Sequence, residues 1–357
     1  MQASPSLNAP PVDRAGTRAA LVILFAGIAA LLAFAVSLTL VAGHRIDLEI
    51  ALPAIWAPTT VTDSLIVHDL LLPRALVAAM VGANLAVAGA LIQGVTRNPI
   101  TEPSIIGVNA GAALAVVFVT IVLPVLVGGP TAGVDVLPWF DLALLPLIAF
   151  VGAAAAALTV YALASTGVVT PVRLALAGVT VAIFGQSLVL GAVLLSSAAV
   201  RFLVRWMVGG VDGMTWRHVA TIAPYAIVGL VAALLLARAV TVLSLGDDVA
   251  RGLGQRVERV RLAAIALVAI LAGASVSVAG PIAMVGLMVP HVARGLVGTS
   301  YRLVIPASAL LGAALMLTAD VAGRVVAPPG ETPVGVLTAA IGTPFFIGLA
   351  RRTRGSS

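Results

Sequence analysis

Few side chains in this 357-residue chain are equipped for chemistry, and the missing types are as informative as those present. There is no cysteine, which excludes disulfides, thiolate metal sites and a thiol nucleophile. There is no lysine either, since all twenty basic residues are arginine. A Walker A loop needs its lysine on the nucleotide phosphates, so any ATP hydrolysis must come from a different chain. Of only four histidines, His291 follows Pro290 inside an apolar run, where an imidazole could titrate or ligate a metal. No cysteine or second histidine stands near it, so neither a metal site nor a bound cofactor is expected. Asp320 and Arg324 are four residues apart and would meet on one helix face as an ion pair. Asp320 could alternatively relay protons, because ionisable groups within a membrane carry function by default. No group of His, Asp and Glu converges within the apolar segments, so the expected catalytic set is empty.

Two longer segments concentrate the remaining polar residues. From Leu72 a run rich in Gly and Ala ends in Gln93, Arg97, Asn98 and Pro99, followed by Glu102 and Pro103. Small residues allow close helix approach, and two prolines within a polar cluster make a rigid turn. The second segment, LSLGDDVARGLGQRVERVR from Leu243 to Arg261, is the longest charged stretch in the chain. Val249, Leu253, Val257 and Val260 recur in it at helical spacing, with Asp247, Asp248, Arg251, Arg256, Glu258 and Arg259 largely between them. Gly252 and Gly254 should divide it into two short helices. Such helices lie on a membrane or dock on a soluble partner. A solvated, arginine-rich linker is the plainer alternative.

These segments sit within a chain that is 61% hydrophobic and only 10% charged, with a mean hydropathy of +1.16. Soluble domains carry about 25% charged residues, so the solvent this composition suits is a lipid bilayer. Taking about 20 apolar residues per crossing, ten helical spans are expected, at 19–43, 72–96, 104–127, 142–165, 173–196, 217–240, 260–279, 282–298, 303–326 and 333–351. The fold class is therefore all-α and polytopic, and the eighth span is short and interrupted by Gly286 and Pro290. Residues 1–18, rich in Pro and Ser, are expected as a disordered cytoplasmic tail, 19–352 as the transmembrane domain and 353–357 as a cytoplasmic C-terminal tail. With the N-terminus inside, fourteen arginines fall on the inner side, and six (45, 74, 201, 205, 217 and 324) on the outer side. The positive-inside rule then places both termini in the cytoplasm. The high arginine content reflects this placement; few aromatics accompany it, so no nucleic acid is expected as a partner. GANLAVAG at 82–89 echoes in GASVSVAG at 273–280, five spans later, and an odd offset is what an inverted repeat of five-helix halves requires.

Taken together, LPR at 72–74, NPITEP at 98–103, LGDDVARGLG at 245–254, GLMVPHVAR at 286–294, ADVAGR at 319–324, ETPVGV and GTPFF resemble the FecCD-type permeases of ABC importers. The resemblance covers about residues 20 to 352. It implies a ten-span subunit paired with a second permease, the same or homologous, and with a cytoplasmic ATPase dimer that holds ATP and magnesium. An extracytoplasmic binding protein delivers the cargo, and the assembly resides in the bacterial plasma membrane. The implied cargo is a ferric siderophore, with haem or vitamin B12 as alternatives. Alternating access would carry it, with ATP-driven closure of the ATPases passed into the helices flanking the pore. The resemblance assigns ATPase coupling to Leu245, Gly246, Asp247, Asp248, Arg251, Gly254 and Arg256. It assigns binding-protein docking to Arg74 and Arg324, with Glu331 grouped beside them, although a further family arginine is here Leu71. Gln93, Asn98, Pro99, Glu102, Pro290, His291, Arg294 and Asp320 form the translocation and structural motifs. A gate is implied near 166–173, where no residue matches closely enough to carry over. The competing class is a proton-coupled secondary transporter using Asp320, which would need no ATPase.

Overall fold

The computed structural model describes residues 14–41, 44–126, 144–165, 171–193, 206–326 and 330–354. Helix α1 (Arg14–Ser37) leads into a two-residue hairpin, β1 (Leu40–Val41) against β2 (His44–Arg45). A short helix α2 (Leu48–Ala54) follows. Helix α3 (Thr62–Ile66) runs through a π-turn at Val67–Leu71 into α4 (Leu72–Thr96). Helix α5 (Val108–Val117) widens into a second π-turn, Phe118–Val122, before α6 (Leu123–Leu126). Then come α7 (Leu145–Ala164), α8 (Pro171–Val193), α9 (Trp216–Ser244), α10 (Asp247–Gly252), α11 (Val257–Ala279), α12 (Val285–Val297), α13 (Tyr301–Val326) and α14 (Val334–Arg354).

Among the described residues, seven helices are long and apolar enough to cross a membrane, and three shorter apolar ones span Val108–Val122, Val285–Val297 and Val334–Gly348. These ten match the expected spans one for one. The expected N-terminal tail lies outside the described residues up to 13, and α1 is already helical from Arg14. At the other end α14 reaches Arg354. The loop expected to gate, 166–170, also lies outside the described residues.

Helix α4 is the hub, with α9, α11, α12 and α13 all packed on it. In its most apolar stretch 83% of residues are buried, against 11% for α1, so α4 is walled by protein and α1 by lipid. Small residues bring the helices this close. A Cβ on Gly82 would lie 2.2 Å from the Gly312 carbonyl oxygen of α13, and one on Gly89 only 1.8 Å from that of Gly286 in α12. Without a hydrophobic drive between helices in lipid, such backbone contact supplies the packing energy. Gly286 meets Gly89, seven residues before α4 ends, so α12 begins about 10 Å inside that end at 1.5 Å per residue. The eighth span is thus a half-helix. The sequence echo does not mark equivalent positions: Gly89 lies within α4, whereas its counterpart Gly280 caps α11 at φ 71°. The echo therefore lends no support to an inverted repeat.

Candidate functional site

The polar residues gather in three places along the hub. At the end of the bundle where α4 starts and α13 stops, Arg74 clamps two carboxylates. Its Nη2 lies 2.7 Å from Asp320 Oδ1 and 2.7 Å from Glu331 Oε2, with Nε donating to Asp320 Oδ1 at 2.9 Å. Asp320 is fully buried and also accepts from Arg324 Nη2, one helical turn along. Two guanidiniums thus share this carboxylate, and Glu331 balances the second charge. That neutral cluster suits a fixed structural anion. Arg324 differs from expectation. It is buried, and it turns inward, where Nη1 donates to the Ser37 and Leu40 carbonyls at 2.8 Å and Nη2 to Ser37 Oγ at 3.1 Å. The reason is local: Ser37 ends α1, and the last carbonyls of a helix have no partner within it. Arg324 therefore ties α13 to the turn after α1 and has no free face for a docking protein. Arg74 and Glu331 instead line a cavity of about 650 Å³ with Val211, Asp212 and Thr332.

The second cluster sits at the other end of α4. Asn98 and Pro99 open a turn closed by Thr101 N to Asn98 O at 3.2 Å, with Ile100 N donating to Asn98 Oδ1 at 3.0 Å. Pro99 holds the second position of that turn, where its fixed φ is favoured. Gln93, almost fully buried, reaches from α4 into α12. Its Nε2 donates to Thr101 O at 3.1 Å, Gly286 O at 3.2 Å and Leu287 O at 3.3 Å, while its Oε1 accepts from Arg294 Nη2. Gly286 O would normally accept from the N–H of residue 290, which is proline and has none. Gln93 fills that vacancy from another helix. Glu102 Oε1 accepts from Met284 N at 2.7 Å and so holds a non-glycine residue at φ 72° just before α12. Burial pushes the Glu102 carboxyl above its ordinary range, opposed by that N–H. His291 meets Phe345 edge-on with ring centroids 5.9 Å apart. Among the described residues no three His, Cys, Asp or Glu side chains gather as a metal site.

The third place is the segment joining α9 to α11. Arg261 is buried and forks onto two carboxylates. Its Nη2 donates to Asp247 Oδ2 at 2.9 Å and its Nη1 to Glu258 Oε1 at 3.1 Å. Arg97 Nη2 approaches Asp247 Oδ1 at 3.4 Å, and Arg251 Nη1 approaches Asp248 Oδ1 at 3.5 Å. Gly246 and Gly254, at φ 124° and 77°, flank the short helix where other residues would be strained. Ala250 and Val257 face inward, while Leu245, Val249 and Leu253, at i, i+4 and i+8, stand 65%, 48% and 67% exposed. The expected apolar row is therefore split, Val257 going into the core, Val260 half-buried against it, and Val249 and Leu253 outward. Arg256 is exposed at the start of α11.

Sequence reasoning missed Arg261 as the brace of this segment, although a buried-side arginine in step with Val257 was readable from the helical period. It also missed Asn109 and Gln186, which line a cavity of about 480 Å³ with Glu102, Ser104 and Leu287. Gln186 is exposed midway along α8, a mostly apolar helix.

A helical bundle too apolar for water, with a half-helix tied to the hub through the buried Gln93 and a braced apolar row at one end, is that of a polytopic membrane protein. The chain belongs to the FecCD transport family, whose model matches residues 23–352. It is 47% identical over 292 residues to the Fe(3+)-citrate import system permease protein YfmD of Bacillus subtilis, covering 82% of this chain and 83% of that protein. To the iron(3+)-hydroxamate import system permease protein FhuB of the same species it is 44% identical over 350 residues, 95% and 85% of the two chains. To the ferric enterobactin transport system permease protein FepD of Escherichia coli it is 38% identical, covering 93% and 96%. Among solved structures it matches an inward-facing metal-chelate type ABC transporter with a TM-score of 0.79 and 25% identity, over 93% of this chain and 99% of the other. As a permease of the ABC class it is not an enzyme; the ATPase is a separate subunit.

Proposed function

We propose that this chain moves an iron–siderophore or related ferric chelate into the bacterial cytoplasm by alternating access, as one of two permeases over an ATPase dimer. The ATPases hold ATP and magnesium, and a binding protein delivers cargo at the far side. The carrying observation is the row Leu245, Val249 and Leu253, turned out from the bundle and braced from behind by Asp247 and Arg261. An exposed apolar row on and beside a short helix suits the groove of a partner. The printed cargoes of the relatives, ferric citrate and ferric hydroxamate, support the chelate reading. Both termini are then cytoplasmic, in the plasma membrane, and Arg74 with Glu331 forms the rim met by the binding protein.

The test is Leu245→Asp combined with Leu253→Asp in the co-expressed transporter. Such central apolar contacts are hot spots, so ATPase co-purification should fall about tenfold or more. ATP-dependent uptake of radio-iron chelate into proteoliposomes should stop, with permease yield unchanged. Undiminished uptake by the double variant would remove the coupling assignment.

A further inference from the structure

A third cavity, of about 480 Å³, lies between the end of α1 and the start of α2 and plays no part in the path described above. Leu32, Ala35, Val36 and Leu40 form one wall, and Ile46 and Leu48 close it. The chain here is extended, so successive side chains alternate. Ile46 is buried, while Arg45 and Asp47 on either side of it are exposed and line the same groove. Neither side chain has an ion-pair or hydrogen-bond partner among the described residues. Asp47 stands at the N-cap of α2, where a carboxylate ordinarily bonds the first free N–H groups, yet its side chain makes no capping bond. One cation and one anion are thus left available at the mouth of an apolar groove.

We propose that this groove binds one zwitterionic amino-phospholipid, its phosphate on Arg45, its ammonium on Asp47 and an acyl chain along Leu32, Val36 and Leu48. Charge complementarity selects a headgroup carrying both signs. Continuity argues for a lipid over a protein. The groove opens onto the face of α1 that shows Leu24, Phe25, Ile28, Leu31 and Leu32, and α1 is the least buried of the seven long crossing helices among the described residues. Trp56, 88% exposed just past α2, is the amphipathic aromatic expected at the headgroup level. Arg324 fixes the groove from behind by holding the Ser37 and Leu40 carbonyls.

The test uses the assembled transporter, purified in mild detergent, stripped of lipid and titrated with acyl-labelled phosphatidylethanolamine or phosphatidylglycerol. Wild type should bind phosphatidylethanolamine more tightly. Arg45→Ala should weaken both lipids about tenfold, the loss of one charge-assisted contact. Asp47→Asn should weaken phosphatidylethanolamine alone, and Ala35→Trp should abolish both by filling the groove. Equal affinity for the two lipids in wild type overturns the zwitterion assignment. Binding that survives Ala35→Trp overturns the groove itself. If Arg45→Ala fails to assemble, the phosphatidylethanolamine-to-phosphatidylglycerol ratio in Asp47→Asn decides the matter. Capture of a protein, with no lipid bound by wild type, also overturns the proposal.

Discussion

Gln93 and Arg324 show how single polar side chains hold apolar helices together where water cannot. Each answers a backbone group stranded by local geometry. Pro290 strands the Gly286 carbonyl, and the end of α1 strands that of Ser37. Replacing Gln93 with leucine keeps the volume nearly unchanged but leaves the Gly286 carbonyl and Arg294 Nη2 without their partner. An unsatisfied buried group costs about 1–3 kcal/mol, more where a charge is involved. Gln93→Leu should therefore lower the thermal midpoint of the detergent-solubilised complex, and a midpoint equal to wild type would show that water or rearrangement fills the role. The stranded carbonyl was legible in the sequence, because Pro290 announces it. Its donor was not, because 193 residues separate Gln93 from Gly286. Arg324 escaped for the same reason, its acceptor at Ser37 being 287 residues away. Arginine type and outer position alone pointed to docking; burial decided otherwise.

Helices differ in which solvent each face meets, and this decides what α8 does. Its exposed residues include Val172, Leu176, Ile183, Phe184 and Leu190, as expected against lipid or another permease. Gln186 breaks that pattern. A primary amide transferred to hydrocarbon without a partner costs about 2–7 kcal/mol, so the Gln186 face must meet water, cargo or a protein. With Asn109 and Glu102 across a 480 Å³ cavity, it forms a polar wall along the α5–α8 seam. The chain contains no cysteine, so a single introduced thiol reports its own surroundings. In proteoliposomes, Gln186→Cys should react readily with a water-soluble maleimide, while Phe184→Cys, about 200° around the same helix, should stay largely unreacted. Equal, slow labelling of both would mean that the wall faces lipid. The span positions were readable from hydropathy because each crossing must be long and apolar. This polar face was not, because one glutamine among 23 residues carries little periodic signal.

At the scale of the whole molecule, the bundle has two chemically distinct ends. Helix α9 connects them in 29 residues, about 43 Å at 1.5 Å per residue, enough to cross the hydrocarbon core with both headgroup regions. Its first residue, Trp216, donates to the His68 carbonyl at 3.1 Å, on the side of Arg74 and Glu331. Its last turn leads directly to Leu245 and the braced segment. The proposed orientation rests on charge: the positive-inside rule, applied to the arginine count of the sequence, puts the end bearing Leu245 on the cytoplasmic side. Two exposed positions test this in the cysteine-free chain. Val61, 55% exposed, precedes the helix that carries Arg74, and Leu253, 67% exposed, tops the braced segment. In the permease expressed without its ATPase, which would otherwise cover Leu253, Val61→Cys should be labelled by a membrane-impermeant maleimide on intact spheroplasts, and Leu253→Cys only in inverted vesicles. The reverse pattern would put the coupling row on the wrong side of the membrane for an ATPase, and the importer reading would fall with it.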